Sequence, residues 1–593
     1  MPRFSVTIFT SCCLAFPVAV SLMLPAAAQQ AADAIAPEPA IQAAIDAKTD
    51  NRPVDAKNWM VVAANPHAVN AGAKILAQGG TAADAMVAVQ TVLGLVEPQS
   101  SGLGGGAFLV WYDAKTRALT TLDARETAPL AVTPRLFQNA DGSPKKFFEA
   151  VVGGLSVGTP GTPMLLQEAH RRWGRANWNT LFDDAIALAD DGFSVSPRLA
   201  ALVAHDAERL ARFPTTAAYF IPDGTAIIEG DTLKNPNYAN TLRAISAQGA
   251  DAIYTGPIAR DIVDTVQNAT GNPGVLSMID LAIYRVIERP AVCAPYRAHE
   301  VCGMGPPSSG ALTVGQILGM LRDVDLRALG PENAESWRLI GDASRLAFAD
   351  RGRYMADSDF VPMPTLGLLD AAYLADRATL LNRATALEAA APGAPQWDHA
   401  QLFADDQSIE FPSTSHISIV DSYGNALSMT TTIENGFGSR LMTSGGFLLN
   451  NELTDFSFRT HRDGVPIANR IEPGKRPRSS MAPTIVLRDG APVLVIGSPG
   501  GSRIIGYVAQ SIIAHLDWDM DVQQAVAMPH LVNRFGTYDI EENTPAADLE
   551  SALTAKGFKV KLRGLNSGLH AISIGETLQG GADPRREGIA IGG

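Results

Sequence analysis

The sequence predicts an α/β protein, and two patterns along the chain carry that prediction. Apolar residues recur with helical spacing through most of 160–400, whereas short apolar runs between glycine-rich turns dominate after 412. From Met60 onward both patterns are present. The chain has 593 residues, too many for one small core, which indicates two lobes or one large layered domain.

The first 28 residues have the features of a secretory signal peptide. Arg3 precedes an apolar run that ends in small residues at an A-x-A-like site, so we place cleavage near Ala28. An uncleaved anchor is the alternative, although Pro17 and Pro25 interrupt the run, and Cys12 fits a lipoprotein signal only weakly. We therefore expect a periplasmic or secreted protein with no membrane span after signal removal.

Composition narrows the classes of partner. Hydrophobic residues make up 46% and charged residues 18%, which is ordinary for a globular protein. The net charge of −14 argues against nucleic acid or an anionic membrane as partner. The 10 histidines are scattered and "HEVCG" at 299 is not H-E-x-x-H, so we expect neither a metal nor another cofactor.

Two cysteines remain once Cys12 and Cys13 leave with the signal. Cys293 and Cys302 lie in "VCAPYRAHEVC", on either side of a tight turn between two apolar pieces. In an exported protein this pair is expected to form a local disulfide across a hairpin. Two free buried thiols are the alternative, and neither cysteine has the basic surroundings of a catalytic thiol.

The elements before 125 follow one another closely. Residues 29–58 are Ala-rich and polar and predict a loose lead-in. A strand and turn follow in "MVVAANPHAV", and helices in "AVNAGAKILAQGG" and in "TAADAMVAVQTVLGLVEP", the latter with Thr81 as N-cap. Paired strands are predicted for "GGGAFLVWYD" and "ALTTLDARE".

The remaining chain divides at a polar segment. Helices are predicted for "PGTPMLLQEAHRRWG", "WNTLFDDAIALADDG", "SPRLAALVAHDAERL" and "AESWRLIGDASRLAFADRGRY". Residues 388–412 are rich in Ala, Pro, Gly and Asp and predict an exposed linker. Beyond it, strands are predicted for "SHISIVD", "ALSMTTTI", "GGFLLNNE", "MAPTIVLRDG" and "APVLVIGSPGG", and one helix for "RIIGYVAQSIIAHL".

The segment "PSTSHISIVDSYGNALSMTTTI" predicts a hairpin with hydroxyls at its open end. "DSYGN" is rich in turn formers, and a hairpin centred on Tyr423 places Thr414 opposite Thr432. Cross-strand Cβ atoms lie roughly 4.5–5.5 Å apart, so the two hydroxyls would be near hydrogen-bond reach. A slip of one residue would break this pairing. Taken alone, the segment is typical of ordinary strands.

Two glycine-rich segments suggest other chemistry. "GSPGGSRI" offers consecutive backbone N–H groups. Such a segment can form an oxyanion hole, a phosphate-binding loop or a simple strand-to-helix turn. The sequence contains no G-K-[ST] at this point, which argues against a nucleotide-binding loop. "GLSVG" at 154–158 matches the G-x-S-x-G of a nucleophile elbow. A proline-rich gap follows Ser156 where an elbow needs a helix, so we interpret Ser156 as a decoy.

Several long motifs together resemble one family. "GGTAADAMVAVQTVLGLVEPQSSGLGGGAFLVWYD", "DARETAP", the hairpin followed by "ENGFGS", "GGFLLNNELTDF", "PGKRPRSSMAPTIV" and "GSPGGSRI" occur in the order and spacing of the γ-glutamyltranspeptidase family of N-terminal-nucleophile hydrolases. The resemblance covers roughly 60–580. It implies an αββα four-layer sandwich made as one precursor that cuts itself before a threonine.

The resemblance also implies where the cut falls and what it releases. "TSH" at 414–416 matches the family's processing triplet, so cleavage is expected between Ser413 and Thr414. A large subunit, 29–413, and a small subunit, 414–593, would remain associated as a heterodimer. The freed α-amine would serve as base for the Thr414 hydroxyl. Thr432 would orient that hydroxyl, and Gly500 and Gly501 match the family's oxyanion pair.

The expected substrates are glutathione or other γ-glutamyl compounds, with an amino acid, a peptide or water as acceptor. Arg125, Ser479 and Ser480 match the family's contacts to the α-carboxylate, a group that suits a guanidinium. Asp455 matches the contact to the α-ammonium.

Two features depart from some family members. Glu434 and Glu452 replace an Asn and a Gln, which makes the predicted ammonium pocket more acidic. The lid segment 457–474 is short and has no Tyr, which indicates an open acceptor side. A cephalosporin or glutaryl acylase of the same family is therefore the alternative enzyme. A processed binding protein that has lost its activity is a second alternative. The presence of all the matched residues argues against it.

Overall fold

The computed structural model describes residues 1–2, 39–399, 401–406, 408, 410–411 and 413–593. The predicted signal peptide, its cleavage site near Ala28 and residues 29–38 of the lead-in lie outside the described residues. Within the described ranges, no helix is long and apolar enough to cross a membrane.

The predicted hairpin lies at the centre of a seven-stranded antiparallel sheet. Its strands pair with Ser415 opposite Thr431, which confirms the predicted register. In spatial order the strands of this first sheet are Ile589–Gly592, Met60–Ala63, Ser415–Val420, Ala426–Thr432, Gly106–Asp113, Ala118–Ala124 and Ile287–Arg289.

A second antiparallel sheet also has seven strands. Cys293 and Cys302 are cross-strand partners in it and form a disulfide, which confirms the predicted pairing. In spatial order its strands are Val54–Ala56, Leu578–Ala582, His570–Ile574, Ala491–Gly497, Thr484–Arg488, His299–Met304 and Ala291–Tyr296.

Smaller sheets and many helices complete the described chain. The small sheets consist of Phe193–Ser194 with Thr232–Leu233, of His461–Arg462 with Val465–Pro466, and of Leu531–Asn533, Thr537–Glu541 and Lys559–Arg563. The α-helices are Pro39–Thr49, Pro66–Ala77, Ala82–Val96, Phe147–Val151, Thr162–Trp173, Asp183–Asp191, Pro197–Leu210, Pro214–Phe220, Pro236–Gln248, Asp251–Tyr254, Gly256–Gln267, Met278–Ile283, Gly310–Met320, Leu326–Leu329, Ala334–Tyr354, Thr365–Leu368, Ala371–Thr379, Ile504–Leu516, Val522–Ala527 and Glu550–Ala555. Short 3₁₀ turns span Gly154–Ser156, Trp178–Phe182, Pro222–Gly224, Glu452–Asp455, Gly501–Arg503 and Pro545–Leu549.

The two large sheets share a core. Successive strand residues point to opposite faces, and Val62 and Val110 of the first sheet join Ile485, Val495 and Ile572 of the second in one buried cluster. The opposite face of the first sheet packs on helices that include Ala82–Val96, and that of the second on helices that include Ile504–Leu516. Strands from both sides of position 414 therefore contribute to both sheets.

The helix Ala82–Val96 shows how local sequence sets an element. Thr81 accepts a hydrogen bond from the Asp84 N–H, and the Asp84 carboxylate accepts one from the Thr81 N–H, so the predicted N-cap is part of a complete capping box. Every residue of this helix is buried. A mainly apolar composition of this kind is expected for a helix enclosed on all sides, and Asp84 is the one charged residue in it.

Two expectations about loose segments are wrong. Pro39–Thr49, placed in the lead-in, forms a helix that buries Ile41, Ala44 and Ala47, because these small and apolar residues recur with helical spacing. The linker 388–412 is irregular but not wholly exposed, since Phe403 and Glu410 are both less than a tenth exposed. Glu410 tolerates burial because its carboxylate contacts an arginine and a serine.

Candidate active site

The hairpin end brings two threonine hydroxyls together. Thr414 Oγ1 and Thr432 Oγ1 are 3.1 Å apart, a hydrogen bond in which either can donate. Thr432 Oγ1 also accepts a hydrogen bond of 2.8 Å from the backbone N–H of Glu434. Both threonines are buried. The second hydrogen bond fixes Thr432, so its hydroxyl is held beside that of Thr414.

The peptide bond before Thr414 is held on both sides. The Ser413 carbonyl accepts a hydrogen bond of 3.2 Å from the Gly500 N–H. The Thr414 carbonyl accepts one of 2.8 Å from Nη1 of Arg586. Thr414 has φ +89°, a conformation that a β-branched residue rarely adopts and that costs of order 1–3 kcal/mol. The surrounding contacts therefore maintain a strained residue directly after the Ser413 carbonyl.

The glycine turn approaches this carbonyl because it has no side chains. Gly500 has φ +138° and Gly501 φ +58°, both in the region that favours glycine. A Cβ on Gly500 would lie 2.7 Å from the Tyr507 ring, and one on Gly501 would lie 2.4 Å from the Glu410 carbonyl oxygen. The turn leads into helix Ile504–Leu516, whose N-terminal end favours negative charge.

Arg125 lies among carboxylates. Its Nη1 donates to Glu452 and its Nη2 to Asp455. Its Nε donates to the Pro477 carbonyl at 3.2 Å and its Nη2 to the Arg478 carbonyl at 3.0 Å. Most donors of this guanidinium are thus paired within the protein.

The same region holds more acidic groups than Arg125 can neutralise. Burial raises the pKa of Glu434, Glu452 and Asp455, and neighbouring negative charges add to that effect. Burial also raises the pKa of Glu126 to about 7. A cationic ligand would favour the ionised form of these carboxyl groups, so the pocket is electrostatically suited to an ammonium.

Ser479 and Ser480 also line the pocket. Ser480 Oγ donates a hydrogen bond of 2.8 Å to Glu410 Oε2, and Ser479 Oγ accepts one of 3.1 Å from the Met481 N–H. Glu434 Oε1 accepts a hydrogen bond of 3.3 Å from the Phe411 N–H. Glu410 and Phe411, just before the hairpin, therefore contribute to the pocket wall.

The predicted residues converge on one cavity. It is lined by Thr414, Thr432, Gly501, Arg125, Glu434, Glu452, Asp455, Ser479 and Ser480, together with Glu410 and Phe411. Its free volume of about 20 Å³ is little more than a water needs. Gly500 and Ser413 adjoin it through their hydrogen bond.

Sequence reasoning missed three charged residues here. Glu410 lies in the segment predicted to be an exposed linker, Arg351 lies within helix Ala334–Tyr354, and Arg586 is near the C-terminus. All three are buried. Their only sequence signal is a charge, which usually indicates a solvated surface, so only the tertiary contacts identify them.

Ser156 is not part of the cavity lining. It ends the 3₁₀ turn Gly154–Ser156, and its buried hydroxyl donates a hydrogen bond of 2.7 Å to the Val151 carbonyl. The next helix begins only at Thr162. A nucleophile elbow requires a helix at once after the serine, so the geometry agrees with a decoy.

The chain matches known proteins over most of its length. The family model for gamma-glutamyltranspeptidase matches residues 68–593. The glutathione hydrolase proenzyme of Bacillus subtilis (strain 168) is 37% identical over 551 residues, covering 90% of this chain and 92% of that protein. The acylase ACY 1 proenzyme of Pseudomonas sp. (strain SE83) is 33% identical, covering 92% of this chain and 96% of that protein. The cephalosporin acylase structure from Bacillus halodurans has a TM-score of 0.81 at 24% identity over 91% of this chain and 97% of that one, a likeness of fold.

Proposed function

Because the chain belongs to the γ-glutamyltranspeptidase family, we propose that it is a γ-glutamyltransferase and glutathione hydrolase with Thr414 as nucleophile. One observation carries the proposal: the Thr414 and Thr432 hydroxyls hydrogen-bond at the wall of a cavity with surplus buried carboxyl groups. The hydroxyl pair suits acyl transfer, and the carboxyl groups suit the α-ammonium of a γ-glutamyl group.

The precursor is proposed to be an αββα four-layer sandwich that cuts itself between Ser413 and Thr414. The protein would lose residues 1–28 on export to the periplasm or on secretion. Self-cleavage would then give a large subunit, 29–413, and a small subunit, 414–593. Their association is supported by both large sheets, which combine strands from before and after the cut. The disulfide Cys293–Cys302 suits an oxidising compartment.

Self-cleavage begins with attack of Thr414 Oγ1 on the Ser413 carbonyl carbon. The C–O bond forms, the C–N bond breaks, and the hydroxyl proton passes to the released Thr414 nitrogen. Water then hydrolyses the ester, giving a Ser413 carboxylate and a free Thr414 hydroxyl. The Gly500 N–H already contacts the carbonyl oxygen that gains negative charge, and the strained Thr414 backbone is relieved by the cut.

Turnover uses the amine that cleavage creates. An α-amino group has a pKa of roughly 7.7–8.0, so near neutral pH part of it is unprotonated and can accept the Thr414 hydroxyl proton. Thr414 Oγ1 attacks the γ-carbonyl of the substrate, and the leaving amine departs with that proton. The γ-glutamyl ester then passes to water or to the amine of an acceptor. Gly500 and Gly501 are the proposed donors to the oxyanion at each step.

The head group is recognised by charge. Asp455, Glu452 and Glu434 are proposed to bind the α-ammonium, because they outnumber the single guanidinium of Arg125 and a bound cation would favour their ionised form. Ser479, Ser480 and Arg125 are the family-matched contacts to the α-carboxylate. These assignments require Glu410 and Phe411 to leave the cavity after the cut.

An acylase acting on glutaryl amides is the second candidate. It is favoured by the similarity to an acylase proenzyme and by the short lid segment 457–474 without Tyr. A glutaryl group has the carboxylate but lacks the ammonium, so the surplus of buried carboxyl groups favours γ-glutamyl. Comparing kcat/KM for γ-glutamyl- and glutaryl-p-nitroanilide decides between them, and a strong preference for glutaryl would reverse the assignment.

The proposal is tested by two substitutions. Thr414→Ala should leave the chain uncut and inactive, whereas Ser156→Ala should retain both cleavage and turnover of γ-glutamyl-p-nitroanilide. Activity in the Thr414→Ala protein would refute Thr414 as the nucleophile. Loss of activity in a folded Ser156→Ala protein would point to the other motif.

A further inference from the structure

An aromatic residue of the segment before the cut lies at the mouth of the cavity. Phe411 lines the cavity together with Thr414 and Thr432, yet it is 42% exposed, so it belongs to the rim of the cavity. Its ring packs on that of Phe147, with centroids 4.4 Å apart and planes inclined by 39°. Aromatic pairs at this separation attract each other beyond the effect of burying their surface. One partner of this contact, Phe411, therefore comes from the segment that self-cleavage would release.

The other partner belongs to a surface that we call the aromatic shelf, formed by Phe147 and Phe148. Both lie in helix Phe147–Val151, and their rings meet edge to face with centroids 5.3 Å apart. Phe147 also packs against the large buried cluster of the first sheet and its helices. Phe148 is 41% exposed. The aromatic shelf is thus anchored in the core through Phe147 and reaches solvent through Phe148.

Self-cleavage would change what covers the aromatic shelf. Phe411 is two residues from the chain end that the cut creates at Ser413, and chain ends are poorly ordered unless contacts hold them. The cut also gives Ser413 a carboxylate beside a cavity that already contains acidic groups such as Glu434, and this repulsion favours release of the segment. Departure of Phe411 exposes Phe147 at the rim. An exposed apolar surface bordered by charges is typical of a binding site.

Positive charge borders the aromatic shelf. The guanidinium of Arg209 lies 3.9 Å from the centre of the Phe148 ring, and that of Arg440 lies 5.6 Å from it. Nη1 of Arg209 and Nε of Arg440 both donate to Asp206, so two cations share one carboxylate. The side chain of Arg209 is 29% exposed, which leaves it accessible to a second anion. This border is therefore complementary to a ligand that carries a carboxylate.

The part of the reaction that reaches the rim is the amine. The γ-glutamyl head group is proposed to bind by its charges inside the cavity, so the group attached to its γ-carbonyl extends towards the mouth. That group is the leaving amine when the ester forms and the acceptor amine when the ester is consumed. These two steps are the same reaction in opposite directions, so both amines use one subsite.

We propose that the aromatic shelf, once Phe411 has left it, binds the aromatic side chain of an amino-acid acceptor, while Arg209 attracts the carboxylate of that acceptor. This inference rests on the proposed function. In the transfer step the neutral acceptor amine attacks the γ-glutamyl ester: a C–N bond forms, the C–O bond to Thr414 breaks, and a proton from the amine passes to Thr414 Oγ1. Phe147 and Arg209 thus determine acceptor preference and exchange no proton in this step.

The first test compares two acceptors on fully cleaved protein, with glutathione as donor and initial rates of γ-glutamyl-amino acid formation measured by liquid chromatography. In the wild type, KM should be lower for L-phenylalanine than for L-alanine. Phe147→Leu keeps an apolar side chain but loses the aromatic contact, so KM for L-phenylalanine should rise about 3- to 10-fold, with a much smaller change for L-alanine. Phe148→Leu, which leaves the contact between Phe147 and Phe411 intact, should act in the same direction and provides a second variant should Phe147→Leu fail to fold or to be cut.

Phe360→Leu is the matched control for these substitutions. Phe360 is also 42% exposed, but it lines a different cavity, beside Tyr284, so both KM values should stay at those of the wild type. A wild-type enzyme that does not prefer phenylalanine would overturn the proposal. Equal KM effects on the two acceptors in both folded leucine variants of the aromatic shelf would do the same.

The second test addresses the carboxylate by comparing L-phenylalanine with phenethylamine, which lacks it. Arg209→Gln should raise KM for L-phenylalanine about 2- to 5-fold, the range of a partly exposed ion pair, and should leave KM for phenethylamine nearly unchanged. Arg212→Gln is the control, since Arg212 is exposed and only three residues further along the chain, and it should change neither value. An equal effect of Arg209→Gln on both amines would overturn the assignment of the carboxylate to Arg209.

The outcomes separate this inference from the proposed function. If Thr414→Ala is uncut and inactive while Phe147→Leu and Phe148→Leu keep the acceptor preference of the wild type, only the aromatic shelf falls. Hydrolysis of glutathione without any transfer to phenylalanine would likewise overturn the aromatic shelf alone. If Thr414→Ala still turns over γ-glutamyl-p-nitroanilide, the proposed function falls as well.

Discussion

The hydroxyl of Thr432 can be removed with almost no change in shape by Thr432→Val. The substitution deletes the 3.1 Å hydrogen bond to Thr414 Oγ1 and the 2.8 Å hydrogen bond that accepts the Glu434 N–H. A buried N–H left without an acceptor costs about 1–3 kcal/mol, so the free energy of unfolding should fall by that amount.

The effect on chemistry should be larger than the effect on folding. Without its partner, the Thr414 hydroxyl can turn among its staggered rotamers instead of keeping the orientation that the hydrogen bond to Thr432 gives it. Misplacing a reacting group by about 1 Å costs roughly 10²-fold in rate, so self-cleavage of Thr432→Val should be slower by about that factor. Gel time courses of fresh precursor measure this rate, and denaturant unfolding measures stability.

Thr431→Val is a matched control on the same strand. Thr431 is buried too, but its Oγ1 has no hydrogen-bond partner among the residues that the structure describes. Replacing an unpaired hydroxyl by a methyl group should be neutral or stabilising, and cleavage should be unchanged. Equal cleavage rates for the two valine variants would refute the role assigned to Thr432.

Three further predictions follow from the geometry. Gly500→Ala forces a side chain into a backbone with φ +138°, so turnover should fall about 10²–10³-fold in steady-state assays. Asp455→Asn should raise KM for γ-glutamyl-p-nitroanilide far more than for the glutaryl compound, and equal effects would contradict an ammonium contact. Burial lowers the pKa of His416 well below 6.5 and that of His570 to about 3. At these two positions the unfolded chain gains protons first, so each histidine contributes a loss of stability of about 1.4 kcal/mol per pH unit below about pH 6.5. Denaturant titrations of the wild type and of His570→Gln across this range separate that contribution from the opposite one of the buried carboxyl groups.

Features set by neighbouring residues could be predicted from the sequence. The turn formers around Tyr423 determine the hairpin register, and this register alone places Thr414 opposite Thr432. The capping box at Thr81 is local in the same way. In each case the partners lie within about twenty residues, so spacing was enough to relate them.

Features that depend on distant partners could not be predicted in this way. Glu410 looked exposed because its charge suggests solvent, yet Arg351 from a distant helix neutralises it. Arg125 was matched to a substrate carboxylate, but the structure pairs its guanidinium with Glu452 and Asp455. A single sequence does not reveal which charges meet in the interior.

The most direct test of the account is N-terminal sequencing of the smaller chain in purified, active protein. We expect two chains on a denaturing gel, with the smaller beginning Thr414-Ser415-His416. Full activity in a single uncut chain, or a small chain that begins at any other residue, would contradict the claim that cleavage creates the catalytic threonine.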